Sequence, residues 1–319
     1  MWTYFMLFAG FFLLIKGADL FVSSSSSIAK KLRIPSVIIG LTIVALGTSL
    51  PEASVSITAA LTGKNELSVS NVIGSNIFNL MVVIGISAML HPIPVKSAIL
   101  RRDFPVSIGI TVLLMLMYLP MIFQEGHKTS VLTRPEGLLL LILAIGYLTW
   151  VTRDALSIRQ QNQGSAEEPE LSSPVQIFFY LILGVGGIIF GGEWVVDSAS
   201  AIGTSFGMSE TLVGLTIVAL GTSLPELATS VVAARKGECD LALGNALGSN
   251  ILNILLVLGS SSALHPVTIT LYTVYDTAIL IAFSIVAFLF ARSGHNFRRR
   301  EGLMLCLLYL LFFLFIIVR

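Results

Sequence analysis

The sequence predicts an all-α membrane protein in which ten transmembrane helices form two five-helix repeats of inverted topology. Three observations support this prediction: a strongly apolar composition, apolar runs along the whole chain, and a second half that repeats the first. Of the 319 residues, 55% are hydrophobic and 12% are charged, and the mean hydropathy is +0.90. Soluble domains contain about twice that share of charged residues, so the composition excludes an ordinary soluble domain.

The apolar runs have the lengths expected of membrane-spanning helices. A helix of about 17–25 residues crosses the hydrocarbon core of a bilayer. We predict ten such spans, at 2–24, 36–61, 67–89, 98–122, 136–152, 174–203, 210–235, 241–263, 271–291 and 301–318. A polar stretch follows the fifth span, and we interpret it as a flexible linker. The chain is thus divided into a first repeat at 1–152, a linker at 153–173 and a second repeat at 174–319.

The internal repeat is defined by two shared blocks. GLTIVALGTSLPE occurs without change at 40–52 and 214–226, and GSNIFN at 74–79 corresponds to GSNILN at 248–253. A constant offset of 174 aligns the halves without a gap across both blocks. Because each repeat holds an odd number of helices, the second enters the membrane from the opposite side. This arrangement predicts a pseudo-two-fold axis in the membrane plane.

The basic residues predict the orientation. Loops on the side of the central linker hold most of the Lys and Arg residues: Lys30, Lys31, Arg33, Lys96, Arg101, Arg102, Arg153, Arg159, Arg235, Lys236, Arg292, Arg298, Arg299 and Arg300. Cytoplasmic loops carry such an excess. We therefore expect the linker in the cytoplasm and both termini outside, in the cytoplasmic (inner) membrane. The net charge of +1 gives no reason to expect a nucleic-acid partner, and the distant Cys239 and Cys306 predict no disulfide.

Two equivalent acidic residues lie near the middle of predicted spans. Glu52 and Glu226 end the two copies of the identical segment, each directly after a proline, Pro51 or Pro225. A charge at the centre of a membrane helix costs on the order of 2.5–3.5 kcal/mol and usually marks an ion or proton path. Proline removes a helical hydrogen bond, and broken backbone at membrane depth is tolerated where it lines a polar cavity. The alternative is that each glutamate reaches the interface from a helix end.

Other oxygen-bearing side chains share helix faces with these glutamates or stand near them. Hydroxyls precede each glutamate at i−4 and i−3, and each GSN block pairs a serine with an asparagine at i, i+4. Oxygen ligands without a His or Cys cluster suit hard cations such as Ca²⁺ and Na⁺. Close helix packing by small residues is the alternative for the serines. The candidates are Thr48, Ser49, Glu52, Ser75 and Asn79, and their equivalents Thr222, Ser223, Glu226, Ser249 and Asn253.

The paired GTSLPE and GSN segments resemble the α-repeats of the cation/calcium exchanger superfamily, and within it the prokaryotic sodium/calcium exchangers. The resemblance covers nearly the whole chain. It implies a ten-helix fold in which helices two, three, seven and eight bind ions while helices one and six slide across them. It also implies Ca²⁺ and Na⁺ as exchanged ions. The family's ligands fall on the residues above and on Ala45 and Ala219, which would ligate through their carbonyls.

The resemblance does not determine which ion is exchanged for Ca²⁺, or in what ratio. Some relatives carry aspartate at the position of Asn253, so this core holds a formal charge of −2, which balances one Ca²⁺ or two Na⁺. Stoichiometry and potassium dependence are therefore unsettled. A proton-coupled calcium exchanger is the nearest alternative, although such relatives typically have glutamates at the positions of Asn79 and Asn253. A passive cation channel is a more distant one. No nucleophile–base pair or cofactor motif indicates an enzyme or a cofactor, and we expect a monomer.

The predicted sliding helices carry one equivalent pair of acids, Asp19 and Glu193. Lys16 stands at i−3 from Asp19 and could pair with it. A role in helix sliding and simple contact with water are both compatible with the sequence.

Overall fold

Helices make up most of the fold in the computed structural model, which describes residues 2–63, 65–123, 129–161, 173–207 and 219–318. The α-helices are α1 (Trp2–Leu32), α2 (Ser36–Ile39), α3 (Ala45–Thr48), α4 (Leu50–Leu61), α5 (Asn65–Phe78), α6 (Ile84–Leu90), α7 (Phe104–Phe123), α8 (Arg134–Gln161), α9 (Pro174–Ser205), α10 (Ala219–Gly221), α11 (Leu224–Arg235), α12 (Cys239–Leu252), α13 (Gly259–Leu264), α14 (Leu271–Gly294) and α15 (Arg299–Val318). Wider π-helical turns occur at Gly40–Val44, Asn79–Val83, Ile99–Asp103 and Asn253–Leu258.

Two short antiparallel strand pairs correct the all-α prediction. They join β1 (Ile93–Pro94) to β4 (Asn296–Phe297), and β2 (Thr129–Leu132) to β3 (Val267–Thr270). The residue before a proline is held out of the helical conformation, and His91 and His265 both precede one, with extended backbones. The chain thus leaves α6 and α13 extended, which allows the following residues to pair as strands.

Six of the described helices are long and apolar enough to cross a membrane, as expected of a multi-pass membrane protein. They are Trp2–Leu32, Glu66–Leu90, Arg134–Gln160, Pro174–Ser205, Cys239–Leu264 and Leu271–Gly294. A bent pair, Ser36–Thr48 with Leu50–Leu61, provides a seventh. The predicted span 210–235 lies partly outside the described residues. The count of ten spans stays a prediction.

Two helical segments form the centre of the molecule. In the most apolar window of Cys239–Leu264, 94% of the residues are buried, and in that of Glu66–Leu90, 78% are buried. The corresponding value for Pro174–Ser205 is 28%. Helices on the lipid face expose apolar side chains, so the first two segments are enclosed by the others and hold the protein interior.

The two glutamates occupy helix starts instead of helix middles. A bend of 48° separates Ser36–Thr48 from Leu50–Leu61, and Pro51 lies in the first turn of α4, where a missing N–H costs nothing. Pro225 has the same place in α11. Glu52 and Glu226 therefore stand in the first turns of α4 and α11, where the helix dipole favours a negative charge. Each proline thus lies in the first turn of the helix that follows the break.

Helices α1 and α9 cross at glycines. A Cβ on Gly17 would lie 2.6 Å from the backbone nitrogen of Ile188, and one on Gly191 would lie 2.5 Å from that of Leu14. Both distances are too short for any side chain at these positions. Gly17 and Gly191 are equivalent under the repeat offset, so the two long helices approach each other through matching positions.

Candidate cation-binding site

Each buried glutamate is bound by a serine of the opposite half. Ser49 donates to Glu226 Oε1 at 3.2 Å, and Ser223 donates to Glu52 Oε1 at 3.0 Å. Neither glutamate has any exposed surface. Because Ser49 lies one turn before Glu52, the two carboxylates belong to a single cluster built from both halves of the chain.

The same carboxylate oxygens also accept from the GSN serines of their own halves. Ser75 donates to Glu52 Oε1 and Ser249 donates to Glu226 Oε1, both at 3.4 Å. The second oxygen of each carboxylate, Oε2, is buried and has no hydrogen-bond partner among the described residues. Within the described ranges neither glutamate forms an ion pair with Lys or Arg. The two acidic groups thus keep unused acceptor capacity in the protein interior.

The threonines extend the cluster to two asparagines that the sequence analysis did not select. Thr48 donates to Asn245 Oδ1 at 3.0 Å, and Thr222 donates to Asn71 Oδ1 at 3.5 Å. The amide groups of these asparagines donate in turn to Ser230 at 2.9 Å and Ser56 at 3.0 Å. The repeat offset relates Asn71 to Asn245, and this match was the sequence signal that could have identified them.

The remaining candidate ligands have fewer hydrogen bonds to the cluster. Asn79 and Asn253 both begin π-helical turns, a feature frequent at functional sites. Within the part of the chain that the structure describes, the Asn79 side chain has no hydrogen-bond partner, whereas Asn253 donates to Asn76 at 3.1 Å. The Ala45 carbonyl accepts from the Ser49 backbone N–H at 3.0 Å. Ala219 is the first residue of α10.

A pocket of about 180 Å³ approaches the cluster from one side. It lies between α9 and the starts of α4 and α11, where Pro51, Thr222 and Pro225 form its lining. Glu193 and Asp197 of α9 also line it. The pocket therefore leads past an acidic helix face toward a threonine of the cluster.

The arrangement favours a hard cation. Two carboxylates, four serine hydroxyls and two threonine hydroxyls meet in one interior cluster, with no trio of His, Cys, Asp or Glu ligands among the described residues. Such oxygen donors suit Ca²⁺ and Na⁺. A buried acidic cluster at helix breaks in a multi-pass membrane protein is the mark of a cation transporter.

Comparisons with known proteins identify the family to which this cation transporter belongs. The family model described as "Sodium/calcium exchanger protein" matches residues 2–153 and 176–318, and the chain belongs to this family. It is 40% identical to the "Putative antiporter CaxA" of Alkalimonas amylolytica over 95% of this chain and 94% of that protein. It is 32% identical to the "Sodium/calcium exchanger MaX1" of Methanosarcina acetivorans over 97% of each.

Solved structures agree with the sequence comparisons. The sodium-calcium exchanger NCX_Mj, soaked with 2.5 mM Na⁺ and 0.1 mM Ca²⁺, aligns with a TM-score of 0.83 and 30% identity over 98% of this chain and 97% of that chain. The NCX_Mj-like fold confirms the family predicted from the repeated motifs. Members of the family are transporters, and the chain is accordingly an integral membrane exchanger of Ca²⁺ and other cations.

Proposed function

We propose that the protein exchanges Ca²⁺ for Na⁺ by alternating access, with both ions competing for the cluster around Glu52 and Glu226. The observation that carries this proposal is the cross-bonding of each buried carboxylate to a serine of the other half. A site shared by two halves changes its access when the halves move relative to each other. The ligand set is Ala45, Thr48, Ser49, Glu52, Ser75, Asn79, Ala219, Thr222, Ser223, Glu226, Ser249 and Asn253.

The negative charges of Glu52 and Glu226 couple the movement of Ca²⁺ to that of Na⁺. At a separation of about 6 Å and an effective dielectric constant near 20, two carboxylates repel by roughly 3 kcal/mol. A cluster without cations is therefore costly, and the protein changes its access mainly when Ca²⁺ or Na⁺ neutralises it. Ca²⁺ takes about 6–8 oxygens, which both glutamates together with carbonyl, hydroxyl and amide oxygens can provide. Serine and threonine hydroxyls on either side would hold Na⁺.

The proposal includes the membrane arrangement. Ten helices form two inverted repeats, at 1–152 and 174–319, joined by a cytoplasmic linker at 153–173. Both termini face outward across the cytoplasmic (inner) membrane, as the distribution of Lys and Arg favours. The unit acts as a monomer without a cofactor, because one chain supplies both halves of the site.

Proton coupling is the second candidate. It is less favoured because Asn79 and Asn253, which begin the two π-helical turns, carry amides that take up no proton. Only the two glutamates of the cluster could exchange protons during transport.

Ion gradients distinguish the candidates. Purified protein in proteoliposomes is given ⁴⁵Ca²⁺ outside and an outward gradient of Na⁺, of K⁺ or of H⁺, each with the membrane potential clamped. We expect uptake to follow the Na⁺ gradient and to be unchanged by the pH gradient alone. Uptake driven by the pH gradient in the absence of Na⁺ would replace this proposal with proton coupling.

A further inference from the structure

Four buried asparagines meet at the centre, two from each GSN block. Asn76 Nδ2 donates to the Asn250 backbone carbonyl at 3.0 Å, and Asn250 Nδ2 donates to the Asn76 carbonyl at 3.1 Å. Asn253 Nδ2 donates to Asn76 Oδ1 at 3.1 Å. Asn76, Asn79 and Asn253 have no exposed surface, and Asn250 has 2%.

The backbone carbonyl of Asn250 determines which way these amides point. A carbonyl oxygen only accepts hydrogen bonds, so the Asn76 amide must turn its Nδ2 toward it. The Oδ1 of Asn76 then faces Asn253, which must present its own Nδ2. Amide nitrogen and oxygen are hard to tell apart by shape. Here the assignment starts from the backbone carbonyl oxygen of Asn250, which can only accept a hydrogen bond. The Oδ1 of Asn253 is therefore left buried, with no hydrogen-bond partner from any residue that the structure describes.

The equivalent contact in the other half is not made. Across the described ranges, Asn250 Oδ1 has no hydrogen-bond partner, and neither polar atom of the Asn79 amide has one. Asn250 is nevertheless oriented like Asn76, because its Nδ2 is bound to a backbone carbonyl. One asparagine of the predicted ligand set is thus held in orientation, and its counterpart is not.

Orientation matters because a cation is attracted to the amide oxygen and repelled by the amide N–H. Asn253 is one turn beyond Ser249, whose hydroxyl donates to Glu226, so its side chain is on the face of the carboxylate cluster. We propose that Asn76 is a positioning residue that fixes the Asn253 amide with its oxygen toward the transported cation, and that Asn250 has the same capacity for Asn79. This inference rests on the proposed function, and it adds two residues outside the predicted ligand set.

A double-mutant cycle tests the proposal. Asn76→Ala, Asn253→Ala and the double variant are reconstituted, and the Ca²⁺ concentration at half-maximal Na⁺-driven uptake is measured together with the maximal rate. We expect Asn253→Ala to raise that concentration about tenfold and Asn76→Ala about fivefold, while the double variant stays within about twofold of Asn253→Ala, because coupled residues are not additive.

Multiplied effects, about fiftyfold in the double variant, would show that Asn76 acts independently of Asn253 and would overturn the proposal. Asn76→Ser, which is too short to reach Asn253, replaces the alanine variant if that variant does not fold. The matched cycle of Asn250→Ala with Asn79→Ala is expected to show less coupling, since that contact is absent. Wild-type vesicles without Na⁺-driven uptake would instead refute the proposed function.

Discussion

Helix α1 is fastened to the loop after α11, whereas its counterpart α9 borders an open pocket. Lys236 in that loop forms an ion pair with Asp19 at 2.6 Å and donates to Ser23 at 2.6 Å. Glu238 accepts from Ser26 and pairs with Lys30 of the same helix. These contacts hold α1 against the loop that follows α11.

The equivalent positions on the α9 side carry different chemistry. Thr62 takes the place of Lys236, and its hydroxyl bonds to carbonyls of its own helix. Glu193 and Asp197 line the pocket, and across the part of the chain that the structure covers neither has an ion-pair partner. The halves therefore match in the carboxylate cluster and differ at the helices that border it.

The largest effect is expected at the carboxylate cluster, where the two halves match. Glu52→Gln and Glu226→Gln should each lower Na⁺-driven ⁴⁵Ca²⁺ uptake at least about 100-fold, because losing a buried charged ligand costs on the order of 3 kcal/mol. Glu66→Gln, the same change at an exposed residue of α5, should leave uptake unchanged. Strongly unequal losses in the two site variants would contradict the equivalence of the halves.

The helix crossing is the next most sensitive feature. Gly17→Val and Gly191→Val should each destabilise the protein by about 1–3 kcal/mol through overpacking, seen as a lower melting temperature in detergent. On the same helix α9, a Cβ at Gly186 would meet no described atom within 4 Å, so Gly186→Ala serves as the control. Wild-type stability in both valine variants would mean that the two helices do not pack at these glycines.

Removing the ion pair should have a moderate effect. Lys236→Met should loosen the α1 side and raise the alkylation rate of a cysteine placed at buried Ser25 about two- to fivefold, since exposed ion pairs contribute up to about 1 kcal/mol. The background lacks Cys239 and Cys306, and Lys31→Met is the control. An unchanged rate would show that these contacts do not hold α1 against the loop after α11.

The smallest effect is expected when Thr62 on the α9 side is given the charge that Lys236 has on the α1 side. Thr62→Lys places a cation at the position that the repeat offset relates to Lys236. It should slow alkylation of a cysteine placed at Ala199, the equivalent of Ser25 under the repeat offset, about twofold, the scale of an exposed ion pair. Thr62→Gln adds length without charge and should have no effect. Faster alkylation in Thr62→Lys would argue against pairing with Glu193 or Asp197.

The sequence predicted features that repeat along the chain. The offset of 174 selected Glu52 and Glu226, and the residue types around them indicated a hard cation. The structure brings these residues together, and the comparisons confirm the family. Cys239 and Cys306 are both free, as predicted. Each of these results depends on residue type and spacing, which are visible in the sequence.

Residue type and spacing did not predict the contacts between residues that are far apart in the sequence. Asp19 pairs with Lys236 and not with the neighbouring Lys16, because the packing of α1 on α11 decides the partner. The bonds between Asn76 and Asn250 likewise depend on how two helices meet across the centre. The strand pairs were missed because two-residue and four-residue extended segments leave no alternation to detect.

Equilibrium binding tests the central claim most directly. Purified wild-type protein is titrated with ⁴⁵Ca²⁺ at increasing Na⁺, alongside Glu52→Gln and Glu226→Gln. We predict one Ca²⁺ per chain, displaced competitively by Na⁺, with binding lost to a similar degree in both variants. Retained Ca²⁺ binding in either variant, or binding indifferent to Na⁺, would contradict a site shared by the two carboxylates.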